Sequence, residues 1–133
     1  MNDSVIEGLR EVYAGINRND IRAAVRALDQ DIEWIEPAEY TNSASCKGRE
    51  AVAAHLARAR ATWAEGSCEP ARFIVAGDRV VVFIDVHVRL RNEADWREGR
   101  HAAVYTIRNG LAIEMRIFDD TQEALDWAGA GPA

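Results

Sequence analysis

A chain of 133 residues with a formal net charge of −6 has the size of one domain built around a single core, spanning residues 1–133. Binding to a polyanion needs clustered Lys and Arg to replace counterions, whereas Lys47 is the only lysine here and the arginines lie among acidic neighbours, which excludes nucleic acid as a partner. No run approaches the ~20 apolar residues that cross a bilayer, and the polar start Met1-Asn2-Asp3-Ser4 lacks the basic and apolar regions of a secretion signal, so no membrane partner and a cytoplasmic location are expected. Cys46 and Cys68 match neither a metal-ligand pattern nor a disulfide framework and read as free thiols.

In chain order, Ser4 with Glu7 forms a capping-box pattern ahead of Val5, Ile6, Leu9, Val12, Tyr13 and Ile16 at helical spacing, so a first helix is expected over about Val5 to Asn17. Asp20 suits the N-cap of a short second helix with Ile21, Ala24, Val25 and Leu28 on its apolar face. An alternating strand follows from Asp31 to Pro37, in which Ile32, Trp34 and Glu36 share one face. A carboxylate on the same face as a Trp and an Ile is costly unless that face lines a cavity or the group finds a partner. Glu36 is therefore the leading candidate for chemistry.

The polar stretch Ala38 to Ser45 has no period and reads as a loop beside Glu36, suited to act as a lid. Gly48 precedes a third helix expected over about Arg49 to Ala64 and closed by Gly66, with Val52, Leu56, Ala59 and Trp63 as its buried stripe and His55 at the border as a structural residue. Strands are expected from Glu69 to Ala76, Arg79 to Leu90, Arg100 to Arg108 and Leu111 to Phe118, with hairpin signals at Gly77-Asp78 and Asn109-Gly110. Asp120 with Glu123 caps a short closing helix carrying Ala124, Leu125 and Trp127.

Helix, helix, strand, helix and then a run of antiparallel strands is the order of an α+β domain, with helices gathered on one face of a curved sheet and a pocket at its open mouth. No metal-ligand pair, Gly-rich phosphate loop or nucleophile elbow occurs, so the expected site uses no metal and no cofactor.

The segments Gly15 to Ile21, Asp31 to Pro37, Gly48 to Val52, Ala76 to Val81 and Asn109-Gly110, in this order, resemble the nuclear transport factor 2-like superfamily, in particular its ketosteroid isomerase-like and SnoaL-like (polyketide cyclase-like) branch. The resemblance implies a cone-shaped, cystatin-like fold: a curved antiparallel sheet with three helices packed on its concave face. It places Glu36 where the ketosteroid isomerases hold their proton-shuttling aspartate, a worked case of an acid–base site with a tyrosine and a protonated aspartate as oxyanion donors. The matching tyrosine position holds Val12, with Tyr13 one residue away, and the aspartate position falls at or next to Ala102, so steroid isomerase activity proper is not expected.

The Arg79 to Leu90 strand has one face of Val80, Val82, Ile84, Val86 and Val88 and another of Val81, Phe83, Asp85, His87 and Arg89. Alternation alone more often describes a half-exposed strand with its polar face in water. The resemblance turns the second face into the cone, so that Asp85 and His87 join Glu36 as acid–base groups. The all-valine and isoleucine face then becomes the outer, homodimer-forming surface. A two-residue Asn109-Gly110 turn puts Ala102, Val104 and Thr106 on one face with Ile113, Met115 and Ile117 as the cavity wall, leaving His101 and Tyr105 outside. Tyr13, Trp34, Phe83, Ala102, Met115, Ile117 and Asp119 are thus the expected substrate contacts. The expected function is a pocket protein for a small hydrophobic molecule, an isomerase, cyclase or hydrolase working by general acid–base catalysis; the alternative is a non-catalytic binding or dimeric interaction domain.

Overall fold

The structure is a computed structural model and describes residues 3–37 and 45–131; most of the expected lid, residues 38–44, lies outside the described residues. Its elements are α1 (Asp3–Asn17), α2 (Ile21–Ala24), β1 (Leu28–Ile35), β2 (Cys46–Lys47), α3 (Arg49–Ala61), β3 (Trp63–Ala76), β4 (Arg79–Leu90), β5 (Arg97–Arg108), β6 (Leu111–Phe118) and α4 (Thr121–Ala128). Six strands form one sheet in the order β2-β1-β6-β5-β4-β3. Neighbours are antiparallel except β1 and β6, which run parallel. No helix among the described residues is long and apolar enough to cross a membrane.

Helices α1 and α3 lay their apolar stripes on one side of the sheet. Leu9, Val12 and Tyr13 of α1 and Val52 and Leu56 of α3 form one core with Ile32 and Trp34 of β1, Val80, Val82 and Ile84 of β4, Ala103 and Tyr105 of β5, and Met115 of β6. The short α2 is capped by the Asp20 carboxylate, which accepts from Ala23 N, and abuts α1 at Gly15, where an added Cβ would meet Ala24 N at 2.5 Å. On the other side, α4 covers only part of the sheet, packing Ala124, Leu125 and Ala128 on Val81, Phe83, Ala102 and Val104. Asp120 caps α4 through bonds from Gln122 N and Glu123 N, as its spacing from Glu123 foretells.

Two local features reset the faces. The Asn109-Gly110 turn is a two-residue hairpin with positive φ at both residues, pairing Arg108 with Leu111, as a type I′ turn requires. One step further the register slips: Ile107 opposes Ala112 but Thr106 opposes Glu114, which leaves Ile113 as a bulge. A one-residue slip exchanges the faces of everything beyond it. Tyr105 thus faces Met115 and Ala103 faces Ile117, so His101 and Tyr105 turn to the concave side and Ala102 to the convex side, the reverse of the expectation from an unbroken ladder.

The second feature is in β3. Helix α3 stops at Ala61, three residues before the expected end, and Gly66 lies inside β3 rather than closing the helix. Gly66 has φ of +122° and its Cα packs so tightly on β4 that an added Cβ would meet His87 O at 2.2 Å. Trp63 is consequently the first residue of a strand. Asn17 holds the same strand to α1: its Nδ2 donates to Cys68 O at 2.9 Å and its Oδ1 accepts from Cys68 N at 2.8 Å.

Candidate functional site

Glu36 follows directly on the end of β1, with its side chain on the concave side. Its Oε2 accepts from Trp34 Nε1–H at 2.8 Å and lies 2.9 Å from His55 Nε2. The Trp donor comes from strand geometry, because residues two apart share a face. The His donor comes from α3, where His55 follows Val52 by three positions and sits over the same face. His55 is 5% exposed and the Glu36 side chain 11%. A carboxylate buried to that degree is tolerable only with hydrogen-bonded partners, and with Glu36 ionised both ring N–H groups supply them. His55, expected to be structural, is thus the partner of Glu36; its place beside Val52 on the buried stripe was the available signal.

Glu36 borders a cavity of two adjoining lobes. The inner lobe, about 180 Å³, is walled by Tyr13, Ile16, Trp34, Arg60, Ile84, Met115 and Ile117. The outer lobe, about 290 Å³, runs along Val86, Val88 and Leu90 of β4 toward Arg97. Glu36, Leu56, Ala59, Trp63, Cys68 and His101 line both, so they form the waist. A surface cleft of about 320 Å³, which shares Glu36 and Ile117 with the inner lobe, is lined by Arg116, Asp119, Asp120 and Glu123. Tyr13, Trp34, Met115 and Ile117 stand in the cavity wall, and Asp119 lines the neighbouring cleft instead.

Four expected site residues stand elsewhere. Asp85 and His87 project from the convex face: Asp85 takes a two-point contact from Arg100, at 2.7 Å and 3.2 Å, and His87 bonds Glu98 at 2.7 Å and stacks on Trp96 with centroids 4.2 Å apart. Phe83 and Ala102 are buried under α4 on that same face. The physical reason is coverage. Helices α1 and α3 seal the concave side, which selects the uniformly apolar face of β4, whereas the far half of the convex side meets water and carries the charges. The apolar row Val80 to Val88 is accordingly interior, not an outer surface.

Electrostatics divides the waist. Burial lowers the pKa of His101, against opposing pulls from Asp119 and Glu36, so at neutral pH its imidazole is uncharged and able to donate and accept. Burial pushes the Cys68 thiol up to about 12, with a further rise from Glu69, which makes it an inert part of the wall. Tyr13 and Tyr105 share one hydrogen bond of 2.7 Å between their hydroxyls, and burial raises both phenols above their ordinary range. Among the described residues no group of three or more His, Cys, Asp and Glu side chains is arranged to hold a metal.

The lowered value of His101 has a stability consequence with a definite sign. The unfolded chain takes up its proton near pH 6.5, the folded chain only at lower pH, so this group's contribution is complete above 6.5 and is lost as pH falls toward the folded value. Tm is expected to drop across that window in the native chain, and the drop to be shallower in His101→Gln. Parallel pH dependences of the two Tm curves would contradict this account.

The fold is an α+β cone with a carboxylate and an imidazole at the waist of an apolar cavity. Residues 9–115 match the model of the SnoaL-like domain, and the chain belongs to that family. Among solved structures it is similar to an NTF2-like protein of unknown function from Burkholderia pseudomallei, at 25% identity and a TM-score of 0.78, over 94% of this chain and 97% of the other. TerC, co-crystallised with polyporic acid, is 25% identical with a TM-score of 0.76 over 96% and 99%. A hypothetical protein of ketosteroid isomerase-like fold from Catenulispora acidiphila, in complex with trimethylamine, shares the fold at 14% identity and a TM-score of 0.75, over 98% and 96%. No functionally curated protein matches the chain.

Proposed function

We propose that this SnoaL-like domain is an enzyme that uses Glu36 as general base on a hydrophobic carbonyl substrate, in the class of isomerases, cyclases and hydrolases. The observation that carries the reading is one carboxylate, oriented through a single oxygen by Trp34 and His55, at the waist of an apolar cavity. In the proposed step the Glu36 carboxylate takes a proton from the carbon next to the carbonyl, and the electron pair moves onto the carbonyl oxygen. His101, neutral at the same waist, donates a hydrogen bond to that oxygen. Return of the proton to a different carbon completes an isomerisation; attack by the enolate on a second carbonyl, whose oxygen then takes the proton back from Glu36, completes a cyclisation. Proton transfer of this kind asks only for side chains and needs no cofactor. TerC, co-crystallised with polyporic acid, supports a small-molecule ligand for this fold.

The reaction can be tested before its natural substrate is known. Apolar ketones incubated with the protein in D2O are expected to lose their α-proton NMR signals faster than in buffer, and Glu36→Gln to return the rate to the buffer value. Ketones that bind without enhanced exchange would instead assign the chain to the second reading, a non-catalytic binding module, which the apolar lining of the inner lobe favours.

Homodimerisation through the convex sheet face and residence in a reducing cytoplasm belong to the same proposal. The support for the first is Trp96, 39% exposed on the part of that face beyond α4; for the second, the free thiols of Cys46 and Cys68. Light scattering is expected to return twice the 14.8 kDa chain mass for the native chain and a shift toward monomer for Trp96→Glu. A monomer mass for the native chain would remove the dimer from the proposal.

A further inference from the structure

The paired hydroxyls of Tyr13 and Tyr105 leave one proton without a protein acceptor. A phenol carries one O–H donor and can also accept. The 2.7 Å bond between the two hydroxyls uses one of their two protons, and among the described residues neither hydroxyl has a second hydrogen-bond partner. The two ends of the pair are not equivalent places for the proton that remains. Tyr105 is 0% exposed and sits behind the lobe, whereas Tyr13 is 6% exposed and stands in the wall of the inner lobe. A donor stranded in a sealed core suffers its full desolvation penalty. The stable arrangement therefore has Tyr105 donating to Tyr13, with the Tyr13 O–H directed into the lobe. Burial raises both phenols above their ordinary range, so both stay protonated at neutral pH. Other polar groups of the same wall are engaged or unsuited. Glu36 Oε2 accepts from Trp34 and pairs with His55. Arg60 is a donor only, and it bonds Ile16 O and Asn17 O.

From this we infer that the inner lobe receives its ligand through a hydrogen-bond-accepting oxygen, which takes the Tyr13 proton with Tyr105 as the donor behind it. Donation from Tyr105 polarises the Tyr13 O–H and strengthens it as a donor. Tyr13 lines the inner lobe alone, whereas Glu36 and His101 stand at the waist. The contact thus anchors the inner end of the ligand and takes no part in the proton transfer proposed for Glu36. It selects by chemistry rather than by size, because a ligand that covers Tyr13 without offering an acceptor leaves a buried donor unpaired.

The probes are cyclohexanone and methylenecyclohexane, which have the same shape and differ by an oxygen or a methylene group at one position, titrated by NMR into the native chain and its variants. Apolar burial contributes to both, so the readout is the ratio of their dissociation constants, compared between proteins. Tyr13→Phe is expected to shift that ratio about fivefold or more toward the hydrocarbon, the size of one net hydrogen bond. Tyr105→Phe keeps the Tyr13 O–H but removes the donor behind it, so a smaller shift in the same direction is expected. Tyr13→Phe also leaves the Tyr105 hydroxyl buried and unpaired. Should it lower Tm, the double variant of Tyr13→Phe with Tyr105→Phe removes both hydroxyls together, orphans neither, and is expected to give the full shift. A hydroxyl pair that only holds α1 to the sheet would change Tm and leave the ratio where it was, and that result would overturn the inference. So would a failure of cyclohexanone to bind the native chain, or a larger shift in Tyr105→Phe than in Tyr13→Phe. The readout is affinity and does not involve Glu36, so failure of the exchange reaction and failure of this anchor are separately visible.

Discussion

Glu36→Gln is expected to slow ketone α-proton exchange by about 10²–10⁴-fold, the range a positioned general base contributes, with little change in Tm. The two parts of that expectation have separate causes. Glutamine has almost the same volume and keeps an oxygen that can accept from Trp34 Nε1–H and from His55 Nε2–H, so the buried polar groups remain paired and the desolvation penalty of an orphaned donor is avoided. What it lacks is basicity. A carboxylate that accepts two hydrogen bonds on one oxygen is also held in orientation, and a proton acceptor acts only within about 3 Å of the carbon-bound hydrogen it removes. Glu36→Asp shortens the side chain by one methylene, keeps the charge and gives up that reach, so an intermediate rate is expected. Exchange by Glu36→Gln at the native rate, with the fold intact, would assign proton removal to another group.

Gly66→Ala is expected to cost roughly 2–6 kcal/mol, from about 1–3 for a non-glycine residue at a disfavoured positive φ and about 1–3 for overpacking. Both causes are present at once, with φ at +122° and the new Cβ directed at the carbonyl of His87 and at Val88 Cα. These are backbone atoms in a paired strand, so no side-chain rotation relieves the contact. Against a total stability of about 5–15 kcal/mol the loss is large, and chemical denaturation read at fixed m would measure it. The site is affected as well. Gly66 lies between Trp63 and Cys68, both of which line the waist, so a chain that survives the substitution is expected to bind probes in the cavity more weakly. Denaturation midpoints within error of each other would show that β3 can move away from β4 at no cost.

Much of this architecture is written in local pattern. Strands β4 and β6 begin and end where alternation and turn residues indicate, because Gly77 and Asn109-Gly110 adopt the positive φ that tight hairpins need. Asp20 and Asp120 cap the helices they precede, since a short carboxylate beside free N–H groups has few better uses. Trp34 and Glu36 share a face in a strand and form a hydrogen bond in the fold. Their pairing was legible from a period of two.

Other features rest on contacts far apart in the chain. No local rule announces the bulge at Ile113, yet that single residue brings His101 and Tyr105 into the concave side and sends Ala102 out of it. Alternation in β4 does not say which face the helices will cover; by itself it favours water for the face that carries Asp85 and His87, and only the family resemblance turned that face toward the pocket. His55 lies 19 positions from Glu36, and its stripe on α3 marks it as buried without naming its partner. Composition and periodicity alone thus determined the order of the four helices, the bounds of β4 and β6, the caps at Asp20 and Asp120 and the shared face of a tryptophan and a carboxylate, all of which depend on residues within a few positions of one another. Tertiary structure decided which side of the sheet is interior and which histidines meet Glu36, because a side-chain face is defined only by what packs against it.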